Sequence, residues 1–202
     1  AHYDVFGEYP WADDNASGVA GLLELARILH KSWLKKSIEL VAFTNEEPPY
    51  FRTNDMGSYH YAKELIEKKA NIDFALILEC IGYFTDTTDS QDYPMPFFKL
   101  FYPNAGNFIT IAGNNSELLL TRDIKASMMR SSPLPIYSVN APAGLPGMDF
   151  SDHLNFWNYW YDAFMITDTA PYRNKNYHTE FDTPESLDYE KMAQVVDWVV
   201  WI

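Results

Sequence analysis

The sequence predicts an α/β domain with a mostly parallel central sheet and helices on both faces. Short apolar runs, typical of buried strands, alternate with longer segments whose apolar residues recur at helical spacing. Acidic residues follow the first two runs within a few positions. Because ligands gather outside the carboxyl ends of strands in open α/β sheets, these acids also indicate where a functional site would lie.

The first half of the chain contains two predicted helix and strand pairs. Residues 17–30 carry apolar side chains on one helical face and follow residues that can cap a helix. Residues 38–43 read as a buried strand, which cannot continue through the two prolines that follow soon after. A second helix is predicted over residues 58–69 and a second strand over residues 74–78. An acid follows each strand, so carboxylates should collect at one edge of the sheet.

Weaker patterns place the remaining elements in the second half of the chain. The predicted strands are residues 108–112, 136–139 and 163–167, and the predicted helices are residues 116–130 and 187–201. Residues 85–96, rich in Asp, Thr, Ser and Pro, are predicted to form a surface loop. No repeat or linker divides the chain, so residues 1–202 are predicted to form one domain.

Composition excludes several classes of function. With 28 acidic and 15 basic residues the formal net charge is -13, so a nucleic-acid phosphate backbone would be repelled. No apolar run reaches the roughly 18 to 20 residues that a membrane span requires. A single cysteine, Cys80, cannot form an internal disulfide. Because the sequence opens at Ala1 without a methionine or a visible signal peptide, we expect a chain trimmed at its N-terminus.

Adjacent carboxylates provide the first chemical indication. Glu46 and Glu47 follow the strand predicted over residues 38–43, where they repel each other unless a cation or a shared proton relieves the conflict. One of them could bind a metal while the other accepts a proton from water. A solvated acidic turn is the simpler alternative.

The acidic run before the first helix has a structural and a functional interpretation. Asn15 fits the role of helix cap, but three polar residues compete for one cap, which leaves Asp13 as a candidate free carboxylate. Among the histidines, His2, His153 and His178 are possible ligands, whereas the remaining two lie on predicted helices without an acidic cluster.

Six motifs, taken in order, resemble the co-catalytic di-zinc aminopeptidase family, which includes bacterial leucyl aminopeptidases and aminopeptidase Y and is related to glutamate carboxypeptidase and the glutaminyl cyclases. They are AHYD, ADDNASG, NEEPP with GS ten residues after Glu47, ECIGY, SDH and YHTEFDT. The resemblance extends from residue 2 to about residue 195, and six ordered motifs are far more specific than one. It implies a zinc-exopeptidase, phosphorylase/hydrolase-like fold.

The resemblance also implies roles for particular residues. One zinc ion would be held by His2 and Glu79, a second by Glu47 and His178, and both by a bridging Asp13. Mn²⁺ or Co²⁺ could substitute for Zn²⁺. Glu46 would be the general base, Asp4 would orient His2, and the Tyr177 hydroxyl would stabilise the oxyanion. The Asp13–Asp14 peptide is expected to be cis, and Asp152 and His153 are expected beside the site rather than in it.

The implied activity is that of a metallo-exopeptidase, which removes the N-terminal residue of a peptide with a metal-bound water activated by Glu46. Its partner would be a peptide with a free N-terminus, and export from the cytoplasm, to the periplasm or the exterior, is expected. A single-zinc glutaminyl-peptide cyclotransferase and a non-catalytic domain of the same fold remain alternatives. Residues predicted to line an apolar substrate pocket are Tyr50, Phe51, Tyr83, Phe84 and Met148.

Overall fold

The structure, a computed structural model, describes residues 1–130 and 133–202. Within these ranges the α-helices are α1 (Gly18–Leu29), α2 (Gly57–Glu67), α3 (Leu118–Met128), α4 (His153–Asn158) and α5 (Tyr189–Val199). The strands are β1 (Ala75–Leu78), β2 (Ile109–Gly113), β3 (Ile136–Asn140) and β4 (Ala163–Thr167). No helix in the described part of the chain is long and apolar enough to cross a bilayer.

The central sheet is mixed and mostly parallel. Its four strands lie in the order β1, β4, β2, β3; β1 pairs with β4 and β2 with β3 in parallel, whereas β2 and β4 are antiparallel. The α/β prediction is therefore confirmed, but the carboxyl ends of the strands do not all meet at one edge. The carboxyl ends of β1 and β4 lie together, and those of β2 and β3 lie at the opposite edge.

Helices cover both faces of the sheet because its side chains alternate between two apolar clusters. Leu78, Ile111 and Ile166 pack on one face, against α1, α3 and α5. Ile77 and Ala163 point to the other face, where α2 and α4 lie. The parallel strands are consequently buried on both sides, which explains their continuous apolar sequences.

Two differences from the sequence prediction bear on the site. Residues 38–43 do not form a strand: Phe43 makes an isolated parallel bridge to His2, whereas Ile38 and Leu40 are exposed. Apolar composition alone does not make a strand, because a strand also needs a hydrogen-bonded neighbour. The short helix α4 was not predicted from the sequence. The predicted helices at 17–30, 58–69, 116–130 and 187–201 are confirmed, with shifted ends.

Glu117 joins three parts of this framework. Its carboxylate accepts hydrogen bonds from the backbone N–H of Ala163 at 2.8 Å, the Trp157 indole at 2.8 Å and the backbone N–H of Asn114 at 2.7 Å. Glu117→Ala is expected to lower the free energy of unfolding by about 1–3 kcal/mol for each buried donor left unsatisfied. Urea denaturation would measure this, with the exposed Glu67→Ala as control; equal midpoints for the two variants would contradict it.

Candidate active site

The candidate site lies where β1 and β4 end side by side. Glu79 directly follows β1 and Asp168 directly follows β4, and the backbone N–H of Asp168 donates to the Cys80 carbonyl at 2.7 Å. Helix α1 approaches this edge closely. A Cβ on Gly18 would come within 2.7 Å of the Leu78 carbonyl oxygen, so only glycine permits this approach.

His2 lies among three carboxylates on one side of the site. Its Nε2 is 3.2 Å from Asp14 Oδ1, 3.4 Å from Glu79 Oε1 and 3.8 Å from Glu46 Oε2. The other ring nitrogen, Nδ1, is 3.2 Å from the Asp4 carbonyl oxygen and 3.5 Å from Asp4 Oδ1. This arrangement fixes the plane of the imidazole and directs Nε2 into the cluster.

His178 occupies the opposite side. Its Nε2 is 2.9 Å from Asp14 Oδ2 and 3.7 Å from Glu47 Oε1. The loop that carries it places His178 at φ 60°, a left-handed conformation that turns the side chain back toward the site. The ring packs edge-on against Trp11 at a centroid distance of 4.7 Å. Asp14 thus faces one histidine with each of its oxygens.

The position between the histidines belongs to Asp14, whereas the sequence led us to assign it to Asp13. Asp13 Oδ1 accepts the backbone N–H of Gly82 at 3.0 Å, and its Oδ2 accepts the Asn174 amide at 3.1 Å. The cis peptide is likewise Asp14–Asn15, so the prediction of a cis Asp13–Asp14 bond was wrong. Non-helical torsions at Asp14 and Asn15 interrupt the helical turn here.

Several polar residues that sequence reasoning missed hold this loop. The Asp182 carboxylate accepts the backbone N–H groups of Asp13, at 3.1 Å, and Asp14, at 3.2 Å. The Asn15 amide donates to Glu79 Oε2 at 3.1 Å, and the Ser151 hydroxyl donates to the same oxygen at 2.6 Å. Only the SDH and HTEFDT motifs hinted at Ser151 and Asp182. Glu79 is thereby fixed with Oε1 toward His2.

Burial and mutual repulsion shift the pKa values of the cluster. Burial raises the pKa of Glu47 to about 8, with the Asp14 carboxylate adding to the shift. Burial also raises the pKa of Glu46 well above its ordinary value, and the charges of Glu79 and other neighbouring carboxylates act in the same direction. Burial alone would lower the pKa of His2, but Glu79 and Asp14 outweigh it and raise that pKa. Without a cation, the cluster holds protons at neutral pH.

The residues fit a divalent metal of the zinc type. His2 Nε2, Asp14 Oδ1 and Glu47 Oε1 are buried and make no hydrogen bond among the described residues. Within the same ranges, the salt bridges to the carboxylates of this cluster come from histidine rather than from lysine or arginine. Ligand atoms of His2, Asp14 and Glu47 lie within 4.8 Å of one another. Imidazole nitrogens combined with carboxylate oxygens suit Zn²⁺, whereas Ca²⁺ prefers oxygen alone.

The remaining predicted residues lie around this cluster. Tyr177 stacks on His178 with a ring centroid distance of 3.9 Å. Asp152 and His153 are fully buried beside the site, as expected, and His153 Nε2 is 2.7 Å from the Met148 carbonyl. Burial lowers the pKa of His153 to about 4, so its imidazole is neutral near pH 7.

The aromatic residues predicted to line a pocket mostly lie elsewhere. A cavity does border the site, but of the five predicted residues only Met148 lines it. Phe84 packs in the apolar core beneath the sheet, and Tyr50 is 43% exposed. Part of the predicted surface loop 85–96 contributes to the cavity wall instead, and Gln91 in it is buried.

An α/β fold that gathers two histidines and several carboxylates at its strand ends defines a chain of the metallopeptidase class. The family model described as Peptidase family M28 matches residues 1–201, and the chain belongs to this family.

Comparison with individual proteins agrees with this membership. The chain is 48% identical to the uncharacterized protein YfbL of Escherichia coli (strain K12) over 208 residues, which covers 99% of this chain and 64% of that protein. BSAP, a zinc aminopeptidase from Bacillus subtilis, matches with a TM-score of 0.72 at 23% identity, over 98% of this chain and 42% of that one. A Bacteroides thetaiotaomicron glutaminyl cyclase matches with a TM-score of 0.60 at 15% identity, over 95% and 61%. The chain therefore spans less than two thirds of each.

Proposed function

We propose that the chain is the catalytic domain of a zinc-dependent aminopeptidase. The observation that carries the proposal is the position of Asp14, whose two carboxylate oxygens lie 3.2 Å and 2.9 Å from the Nε2 atoms of His2 and His178. A carboxylate that faces two imidazoles from opposite sides is suited to bridging two metal ions.

The ligands divide between two metal positions. His2 and Glu79 would hold one ion, His178 and Glu47 the other, and Asp14 both. Bound zinc acts as a Lewis acid toward a substrate carbonyl and makes water acidic enough to lose a proton near neutral pH. The donors are held ready for this role, because Asp4 orients His2 and also accepts the backbone N–H of Glu47 at 3.0 Å.

Glu46 is the general base of the proposed reaction. Its carboxylate borders the cluster, 3.8 Å from His2, but it is not needed to complete either set of ligands. A dication in the cluster would lower the raised pKa of Glu46, because positive charge favours the carboxylate form. Ionised Glu46 would accept a proton from the attacking water and transfer it to the amine that leaves.

Tyr177 is placed to assist as a hydrogen-bond donor. Burial raises the pKa of its hydroxyl, and the Asp14 carboxylate contributes to the same shift. The hydroxyl therefore keeps its proton at neutral pH and can donate to the carbonyl oxygen as negative charge develops there. Carboxylates at the inner end of the cleft would attract the free α-ammonium of a peptide, which explains a preference for the N-terminal bond.

The test is a comparison of three substrates with zinc-loaded protein: an aminoacyl-nitroanilide, its N-acetylated form, and a glutaminyl peptide. Of the two nitroanilides, we expect only the one with a free amine to be hydrolysed. Elemental analysis is expected to give about two zinc ions per chain. Cyclisation of the glutaminyl peptide without nitroanilide hydrolysis would identify a cyclotransferase instead. Protein that takes up no stoichiometric zinc would point to a non-catalytic domain.

Removal of the metal should make stability strongly dependent on pH. Asp13 and Glu47 have folded-state pKa values of about 6 and about 8, above their unfolded values, chiefly because of burial. The folded metal-free protein therefore binds extra protons, and its stability should fall as the pH rises from about 5 to about 8. The raised pKa of His2 acts in the same direction. The lowered pKa of Asp14 acts only at more acidic pH.

Zinc should oppose this loss, because it binds the deprotonated side chains. As the pH rises, fewer protons compete with zinc for these side chains. The difference in Tm between zinc-loaded and chelator-treated protein is thus expected to widen steadily between pH 5.5 and pH 8. Differential scanning calorimetry across this range would measure it. Two parallel curves would show that the ionisable cluster does not bind the metal.

A further inference from the structure

A deep cavity opens beside the proposed metal positions. It encloses about 820 Å³, part of which is open to solvent. Glu79 and Tyr177 border it where it meets the cluster. Strand residues Ala112 and Met165, both buried, form its floor. A substrate whose carbonyl is at the metals can therefore place a neighbouring side chain in this cavity.

Aromatic rings form a substantial part of the wall. Those that line the cavity include Tyr93, Phe98, Tyr102, Phe108, Tyr172 and Tyr177. They support one another: the Tyr93 and Tyr102 rings are 5.8 Å apart, and the Phe98 ring is 5.7 Å from Tyr102 at an interplanar angle of 63°. Rings held in this way present fixed faces and edges to an entering ring.

The polar ends of the wall residues are directed to other partners. The Tyr93 hydroxyl donates to the Pro103 carbonyl at 2.6 Å, and the Tyr102 hydroxyl donates to the Ser138 carbonyl at 2.9 Å. Their rings thus meet the cavity as apolar surfaces.

Among the described residues, no basic group lines the cavity, and both of its acidic groups already have partners. None of the described lining residues is lysine, arginine or histidine. The acidic ones are Glu79, which is held by Asn15 and Ser151, and Asp92, whose Oδ1 accepts from Lys99 Nζ at 2.9 Å. Transfer of a charged side chain into such an environment is costly.

We propose that this cavity binds the side chain of the first residue of the peptide and selects aromatic residues over aliphatic, small or charged ones. The inference rests on the proposed aminopeptidase function and names the substrate class of that site. Phenylalanine gains both apolar burial and ring-to-ring contacts, whereas leucine gains burial alone, and alanine leaves most of the cavity unfilled.

The experiment measures kcat/KM of the zinc-loaded chain on nitroanilides of phenylalanine, leucine, alanine, lysine and glutamate. Phenylalanine is expected to exceed leucine by about 5- to 10-fold. The kcat/KM for phenylalanine should exceed the values for alanine, lysine and glutamate by at least about 100-fold. A preference for leucine, alanine, lysine or glutamate would overturn the specificity while leaving the aminopeptidase function intact. Zinc-loaded protein that hydrolyses none of the five would instead contradict the aminopeptidase function itself.

Two variants test the cavity directly. Ala112→Leu fills the floor and is expected to reduce kcat/KM for phenylalanine at least about 10-fold, with a smaller change for alanine. Ala141→Leu is the matched control, because Ala141 packs in the same apolar cluster but does not line the cavity. Phe98→Leu, in a partly exposed part of the wall, should lower the ratio of phenylalanine to leucine. If folded Ala112→Leu and Phe98→Leu both kept the substrate preferences of the unchanged chain, the side chain of the first substrate residue would bind elsewhere.

Discussion

Replacement of Asp14 with asparagine is expected to abolish zinc binding at the proposed metal site and to lower kcat/KM by at least about 1,000-fold, since bound metal ions supply several kcal/mol of transition-state stabilisation in metal-assisted hydrolysis. The physical reason is that, among the described residues, Asp14 is the carboxylate that faces both histidines, so its charge would contribute to both proposed metal positions. Elemental analysis of the purified variant, together with nitroanilide kinetics, measures both effects.

Asp13→Asn provides the matched control for this prediction. Asp13 is equally buried, but its oxygens accept hydrogen bonds from Gly82 and Asn174 rather than facing the histidines. This variant should keep its zinc and lose only about 10-fold in activity, as is usual when a supporting residue beside a metal site is changed. If Asp13→Asn lost zinc while Asp14→Asn retained it, the assignment of the bridging ligand would be reversed.

Glu46→Gln is expected to lower kcat by about 10²- to 10⁴-fold, the usual contribution of a general acid–base group, while zinc content stays unchanged. Glutamine has nearly the same shape as glutamate but cannot accept the proton from water. The loss should therefore fall on kcat far more than on KM.

The neighbouring loop offers a control of the same chemistry for this change. Glu180 is exposed and lies two residues after His178, so Glu180→Gln removes one negative charge near the site without affecting the base. Its activity should remain close to that of the unchanged chain. If zinc-loaded Glu46→Gln hydrolysed the substrate as fast as the unchanged chain, the proposed role of Glu46 would be contradicted.

The sequence predicted which residue types form the site better than which of two adjacent acids lies between the histidines. Glu79 directly follows a strand, so its position at the sheet edge followed from that pattern. Glu46 and Glu47 also lie in the site, although the run before them does not form a strand. Asp13 and Asp14 could not be separated in this way, because both precede the same helix and both are acids. Asp14 and Asn15 also depart from helical torsions, and a pattern of residue types does not encode that departure.

Long-range packing limited the other predictions. Residues 38–43 have the composition of a strand, yet pairing depends on a neighbouring chain segment, and only Phe43 meets one, at His2. The cavity wall was missed for a similar reason. Tyr93 and Tyr172 are 79 positions apart and meet only in the folded chain, so local composition assigned the first of them to a surface loop.

The hydrogen bonds that the Asp182 carboxylate accepts from the backbone N–H groups of Asp13 and Asp14 span sequence separations of 169 and 168 residues. Contacts between residues so far apart in sequence form only after most of the chain is available. They are also costly in entropy, because the ends of a long loop must be brought together. During synthesis, the acidic loop therefore lacks these hydrogen bonds until residue 182 has left the ribosome, and His178 emerges only shortly before. An incomplete chain consequently lacks the complete set of proposed metal ligands.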